Sequence, residues 1–506
     1  MRAICWRVIF GRPLVVLAGI FVLALGLRVG WVGYTDTEIP VLSDPQYYHA
    51  TASNLADGRG YTVAVDERGF VAGEAGEPTA FWAPGYSFAL APLYAVFGPD
   101  ARVAKVFNAI VGALTVAPVW FLGRSLRPRA KGKGQTAKGE GDDRRSRAGG
   151  RIGEAVVHGE GAASGFAAAG ETFFTTALGS SYEPGGMIAA FLFAVSPAMI
   201  FWTPALFSEA LFTLGVACTL AVAMWAGDRG SVGAYFATGL ILAATAFVRS
   251  QGLVLIVPLL VLVWPRRNVD AVGRVADSPV QTRGDSPVQV LRMGLPLVAG
   301  MAVLVVPWAV RNERAMGEAF LINDNLGYNL RLAHAPYSTG TSIAPRDLWE
   351  ERPGISFRER ELWWDEVGAS RAWAYARSHP GREMELAVRR VGWLLRSDAA
   401  PAMRWSESLG ATPVGGPRDA LVFVGDVWWY GVLGLAVASV VVVRRDRVWV
   451  ALWSAIGVWV GLHLVFAGEP RYHVPLVPVL CVLAGAVVVG IHHRGTKGTE
   501  AESGSR

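Results

Sequence analysis

Cysteine is almost missing from this chain. Its three residues, Cys5, Cys218 and Cys481, are far apart and lie in or beside apolar runs. That spacing excludes a disulfide framework and a thiolate metal site. Charge is scarce as well, 17% of 506 residues against 52% hydrophobic, which excludes an ordinary soluble domain. Alternating ten-residue segments are lacking, so a membrane β-barrel is excluded too. No inverted repeat is visible in the hydropathy. What the chain has instead is a succession of apolar runs of about 20 residues, each enough to cross a hydrocarbon core of roughly 30 Å. The composition therefore reads as an all-α polytopic membrane protein.

The first run, residues 14–34, follows Arg2, Arg7 and Arg12 in the manner of a signal peptide. It is longer than the ~7–15-residue apolar region of such a peptide, and no small-x-small cleavage site follows. We read it as a retained helix with a cytoplasmic N-terminus. The next loop is acidic, with Asp36, Glu38, Asp44, Asp57, Asp66 and Glu67 among its residues, and so belongs outside. The apolar stretch 81–97 decides the topology. If it crossed the membrane, the run 103–122 would deliver the Arg- and Lys-rich stretch 124–151 to the outside. Laid along the outer interface, with Pro84, Pro92 and aromatic ends, it puts every basic loop inside. About ten spans result: 14–34, 103–122, 187–202, 208–226, 232–248, 252–264, 293–310, 421–443, 448–467 and 474–491.

The chain divides accordingly. Residues 1–122 carry the first two spans and the outer loop between them. A basic insert, 123–186, is expected to be disordered and cytoplasmic, touching lipid or idle rather than binding nucleic acid. A helix bundle covers 187–310, an outer loop or small helical cap 311–420, and closing helices 421–491. The polar tail, 492–506, is expected to be cytoplasmic and unstructured.

Sorted by side, the polar residues at helix ends gather outside: Asp44, Glu209, Arg249, Arg311 and the turn Glu469-Pro470-Arg471-Tyr472. Carboxylates beside guanidinium groups suit transfer of a sugar from a lipid phosphate to a hydroxyl. A carboxylate takes the acceptor proton, and arginines grip the departing phosphate through forked hydrogen bonds. Asp44 is the candidate general base, and Arg471, Arg249 and Arg311 are candidates for the donor phosphate. Tyr47, Tyr48, Glu209, Glu469 and Tyr472 are candidate substrate contacts. Plainer roles compete with each. Asp44 before Pro45 fits a helix cap, Glu209 a helix N-terminus, and Arg249 a turn. Arg471 and Arg28 fit interface snorkelling, and His463 fits a hydrogen-bonded core position. Asp36 and Glu38 are too sparse a pair for a divalent-ion site, so no metal and no cofactor is expected.

The runs SDPQYYHATASNLADGRGY, PTAFWAPGYSFALAPLYAVFG, VPWAVRN, NDNLGYNL and EPRYHVPLVPVL follow one another in an informative order. In order and spacing the chain resembles the GT-C integral membrane glycosyltransferases. It is most similar to the group containing protein O-mannosyltransferases and lipid A aminoarabinose transferases (glycosyltransferase family 39-like). The resemblance covers most of 14–490 outside the basic insert. It implies a GT-C-like bundle with interfacial helices in the first outer loop and a polyprenyl-phosphate sugar as donor. It also implies acceptor activation by Asp44 and inverting transfer to a lipid, glycan or protein at the outer face of the plasma membrane. The chain departs from the pattern in two places. Ala83-Pro84 stands where a proline pair is common, with no lysine beside it, and Pro45-Gln46 rather than a second acid follows Asp44. Both departures bear on the acceptor and the sugar. The competing expectation is a non-enzymatic transporter of lipid or solute. Transporters set ion sites near the bilayer midplane, often in repeated halves, whereas the polar residues here collect at one face.

Overall fold

The computed structural model describes residues 13–35, 43–65, 71, 76–126, 184–263, 287–352, 354–409 and 416–503. Most of the basic insert, from 127 to 183, lies outside these residues, as do Asp36 and Glu38. Among the described residues, helices dominate. The exceptions are a two-stranded antiparallel ribbon, with Thr62 opposite Pro78 and Val63 opposite Glu77, and a single bridge between Val65 and Val71.

Seven described helices are long and apolar enough to cross a membrane: Pro13–Val32, Ala101–Gly123, Glu209–Arg229, Leu291–Met316, Pro417–Val442, Arg447–Val465 and Pro470–His492. Three shorter apolar stretches, Pro184–Ala194, Val232–Val248 and Ser250–Val263, pack among them. Large apolar side chains on the outside of this bundle stand bare, Val22 at 65% and Phe423 at 67% exposure among them. Water does not tolerate so wide an apolar surface, but a bilayer does. The chain is a multi-pass all-α membrane protein.

Local chemistry sets the corners. Gly230, in the left-handed conformation at φ 65°, ends Glu209–Arg229, and the Ser231 side chain then accepts from the Ala234 amide to start Val232–Val248. Small residues set the spacing. A Cβ on Gly239 would stand 1.9 Å from the Leu297 carbonyl oxygen, and one on Gly300 would stand 2.1 Å from that of Phe236. These two helices therefore meet backbone to backbone, as membrane helices without bulky seams do.

Three expectations change. The stretch 81–97 becomes helix only at Gly85, after Pro84, and runs to Phe97. Thirteen residues span about 20 Å, too short to cross, and Tyr86, Leu90 and Tyr94 bury against Tyr48 and Ala52 of helix Ser43–Ala56. Arg28 does not snorkel. It is fully buried and donates to the Ala24 and Ala194 carbonyls at 3.0 and 3.1 Å, because both main-chain oxygens face it within the bundle. The tail after Arg494 is helical as far as Ser503. A helix nucleated by the apolar stretch before it needs only one hydrogen bond per added residue.

Between the last two long-loop boundaries lies a small helical cap, built from Leu326–Ala333, Arg346–Glu350, Phe357–Ser378, Pro380–Leu394 and Ala399–Ser408. Its Leu348, Phe357 and Trp364 form one buried cluster with Tyr47, Val63 and Phe81 of the first loop. Beneath that cluster two carboxyls are buried. Glu361 accepts from the Thr79 hydroxyl (2.7 Å) and the Ala80 amide (3.3 Å). Asp324 is 1% exposed, and among the described residues neither of its carboxyl oxygens has a hydrogen-bond partner. Burial above all, then the nearby Asp365 and Glu318 charges, pushes Asp324 up to about 8 against the pull of Arg311. Burial, then Asp324, raises Glu361 as well. A carboxyl whose native pKa is raised contributes stability below its unfolded value that is lost as pH climbs through the native one. Stability should therefore fall between about pH 4 and 8. Asp324→Asn should be the more stable protein at pH 8, by more than about 1.4 kcal/mol, the worth of one pKa unit. The difference should vanish near pH 4. Thermal unfolding in detergent across that range measures it, and parallel curves for the two proteins would contradict it.

Candidate active site

The site is assembled from four chain corners at one end of the bundle. Helix Ser43–Ala56 carries Asp44 in its first turn, where a negative charge is favoured. Glu209 occupies the same place in Glu209–Arg229 and is 4% exposed. Arg249 caps the C-terminus of Val232–Val248 in extended backbone, and a 3-10 turn, Ser250–Leu255, follows it. Arg471 sits in the first turn of a second 3-10 segment, Pro470–Leu476, after the extended Glu469.

These corners join through charge. Asp44 Oδ2 lies 3.7 Å from Arg471 Nη2. Arg471 Nε is 3.3 Å from Glu209 Oε1, and the same oxygen accepts from Arg249 Nη2 at 2.8 Å. Arg249 Nε donates to Ser208 Oγ at 2.8 Å, and the Tyr48 hydroxyl donates to that Oγ at 3.2 Å. Burial pushes the Tyr48 phenol up to about 12, so it stays a proton donor at neutral pH. The Arg471 guanidinium also lies over the Phe207 ring, 4.3 Å from its centroid.

A cavity of about 940 Å3 opens beside this network. Asp44, Tyr47, Tyr48, Arg249, Arg471 and Tyr472 line it. Leu253, Val254, Leu462 and Phe466 give it an apolar wall, and Asn323, Asn325, Asn329 and Arg346 a polar one. A second cavity of about 220 Å3 shares Asp44 and Arg471 with the first and none of its other lining residues. Glu469 faces the smaller space. Glu469 Oε1 accepts from the Ser342 amide at 3.3 Å, and Tyr472 and Ser342 share a hydroxyl contact of 2.9 Å, so both residues also anchor the cap.

Of the nine residues singled out from sequence, the structure brings eight to this end of the network or its cavities. Arg311 is elsewhere. Its Nη1 donates to the Thr79 carbonyl and its Nη2 to the Tyr61 carbonyl, each at 2.7 Å, and it does not line either cavity. Main-chain oxygens of the first loop have taken the hydrogen bonds a phosphate would need. Glu209 lines neither of these two cavities and is the counter-ion of two arginines. His463 donates through Nδ1–H to the Ala467 carbonyl, 2.8 Å away, as expected of a core histidine. Among the described residues no group of three or more His, Cys, Asp or Glu could hold a metal ion.

Sequence reasoning missed Ser208, Arg346 and the pair Asp398–His473. Ser208 directly precedes Glu209 and links Tyr48 to Arg249, which only the fold reveals. Arg346 belongs to the cap, whose fold carries no hydropathy signal. His473 Nε2 lies 3.2 Å from Asp398 Oδ1, and Asp398 Oδ2 accepts from the Trp202 indole at 2.8 Å.

No family model matches this chain, and no curated protein does. Solved structures do match. The Archaeoglobus fulgidus oligosaccharyltransferase in its apo form is 14% identical, over 97% of this chain and 52% of that one, with a TM-score of 0.46. The archaeal oligosaccharyltransferase AglB from Archaeoglobus fulgidus, in complex with an inhibitory peptide and a dolichol-phosphate, is 14% identical over 99% and 52%, with a TM-score of 0.45. The same organism's enzyme tethered to an acceptor peptide containing the NVT sequon gives 14%, 95%, 50% and 0.46. The chain spans about half the length of these structures.

Glu209 is a carboxylate that both inner arginines share. Removing one member of a buried ion pair strands the other and costs roughly 3–5 kcal/mol. Glu209→Ala should therefore lower the unfolding temperature in detergent far more than Asp44→Asn, whose side chain is 15% exposed and holds the outermost contact. Equal losses would show that the arginines do not depend on Glu209.

Proposed function

We propose that the protein is a GT-C-like membrane glycosyltransferase that moves a sugar from a polyprenyl-phosphate donor to an acceptor hydroxyl at the outer face, with Asp44 as general base. The observation that carries this reading is the Asp44–Arg471 contact on the wall of the larger cavity. A carboxylate beside a guanidinium, in a space large enough for a sugar and the start of a lipid chain, supports this reading.

In this reading the prenyl chain lies along Leu253, Val254, Leu462 and Phe466, and Arg249 and Arg471 face the phosphate. Asn323, Asn325 and Asn329 offer amide donors and acceptors to the sugar. Arg346, on the wall of the same cavity, supplies further positive charge from the cap. The acceptor oxygen attacks the anomeric carbon and its proton passes to Asp44. The bond from that carbon to the phosphate oxygen breaks, and its electron pair leaves with the phosphate. A phosphate is a weak base, so it needs charge more than a proton, and one carboxylate suffices where hydrolases use two. Attack opposite the leaving group inverts the anomeric centre. The bias of Lys and Arg to the other loops supports an outward-facing site and a cytoplasmic N-terminus.

Positioned general bases contribute about 10²–10⁴-fold. Asp44→Asn should lower transfer by that factor while the protein still inserts and purifies normally; full activity in that variant removes Asp44 from the mechanism. Arg471→Ala should raise the KM for the polyprenyl-phosphate donor more than that for the acceptor. Steady-state kinetics with each substrate varied in turn measure the split, and equal effects on both count against a phosphate role.

A further inference from the structure

The smaller cavity lies against the same carboxylate from another direction, and its walls are of another chemistry. Trp202, Phe207 and Trp405 form an aromatic wall whose rings meet edge to face, with centroids 5.9 Å apart for the first pair and 4.9 Å for the second. The Trp202 indole is held by Asp398, itself fixed against His473. Pro401 and Pro470 close the sides with rigid rings, and Glu469 supplies a carboxylate. At about 220 Å3 the space falls below the ~300–1,000 Å3 of sites for drug-sized molecules. Its walls enclose room for about one ring.

We propose that this cavity binds the acceptor, and that the acceptor is a single uncharged sugar ring presenting a hydroxyl to Asp44. This rests on the transferase reading and deepens it. The C–H face of a pyranose is apolar and weakly positive, and it matches the negative π-face of an aromatic ring. Its hydroxyls are donors that a carboxylate such as Glu469 accepts. An anionic acceptor meets Glu469 and Asp44 with only Arg471 to offset them, so like charge disfavours it. A serine or threonine side chain is too small to use the aromatic wall. Asp44 and Arg471, the two residues common to both cavities, then stand where acceptor oxygen and donor phosphate approach the same carbon.

The test uses the purified full-length protein in a detergent without sugar. Radiolabelled polyprenyl-phosphate mannose and polyprenyl-phosphate arabinose serve as donors. Octyl glucoside and octyl mannoside, octyl glucuronide, a long-chain glucosyl lipid and a Ser/Thr-rich peptide serve as acceptors. Label should pass to the neutral glycosides, at least tenfold faster than to the glucuronide, and not to the peptide. Transfer to the glucosyl lipid alone assigns the ring to a lipid headgroup; transfer to the soluble octyl glycosides as well shows that the ring itself suffices. Trp405→Ala should raise the glycoside KM at least tenfold and leave the donor KM within twofold, while Trp405→Phe keeps both near wild type. Glu469→Gln, which leaves the aromatic wall intact, should narrow the preference for glucoside over glucuronide and decides the matter if Trp405→Ala does not fold. Label passing to the peptide with the glycosides inert overturns this proposal and leaves the transferase reading standing. A donor consumed with no acceptor at all removes both.

Discussion

One oxygen atom holds this site together. Oε1 of Glu209 faces Arg249 and Arg471 at once, and two guanidinium groups so close would otherwise repel in a medium that screens poorly. Its place in the first turn of a helix adds the favourable end of the helix dipole, and Arg249 at a helix C-terminus gains from the opposite end. The two arginines are therefore aimed before any ligand arrives. Arg471 still reaches Asp44 with a second nitrogen, so the inner pair orients the outer one.

The rest of the architecture serves to bring Asp44 to that arginine. Asp44 belongs to a short helix outside the bundle, and the seating of that helix helps to set its distance to Arg471. Packing of Tyr48 and Ala52 against Tyr86, Leu90 and Tyr94 seats the helix on its neighbour. Tyr47 and Phe81 bury their rings under the cap with Phe357 and Trp364. Arg311 ties the carbonyls of Tyr61 and Thr79, on either side of the ribbon, to the end of a long apolar helix. A residue expected to grip substrate thus clamps the loop that carries Asp44. The same hydrogen-bond capacity that fits a phosphate fits two main-chain oxygens equally well, and the sequence holds no signal to tell them apart.

What was legible followed the bilayer. Apolar run length gave the class and most helix limits, and the charge of the loops sorted Asp44, Arg249 and Arg471 to one end, where the structure does gather them. The cap was not legible. Its helices are amphipathic against one another, with Arg390 donating to the Leu464 and Ala333 carbonyls from an almost fully buried position, and such burial of charge reads as solvent-facing in a linear pattern. Arg28 misled in the same way. An arginine in an apolar run is expected to reach for the headgroups, but carbonyls of a neighbouring helix lay nearer.

Both inner arginines stand where an apolar helix is interrupted. Arg249 is an extended residue between Val232–Val248 and a 3-10 turn, and Arg471 follows the extended Glu469 into another. Irregular backbone at the depth of the membrane leaves amides and carbonyls unpaired, and is tolerated only where protein buries it or a cavity wets it. Here the two interruptions face each other across Glu209 and border the larger cavity through Arg249, Ser250, Gln251, Arg471 and Tyr472. Continuous helices would have satisfied the backbone more cheaply and left no room for polar chemistry. The broken corners are consistent with a site for a polar headgroup at the edge of the apolar layer. A lipid-linked sugar has the matching division, with a chain that stays in the layer and a phosphate that must leave it.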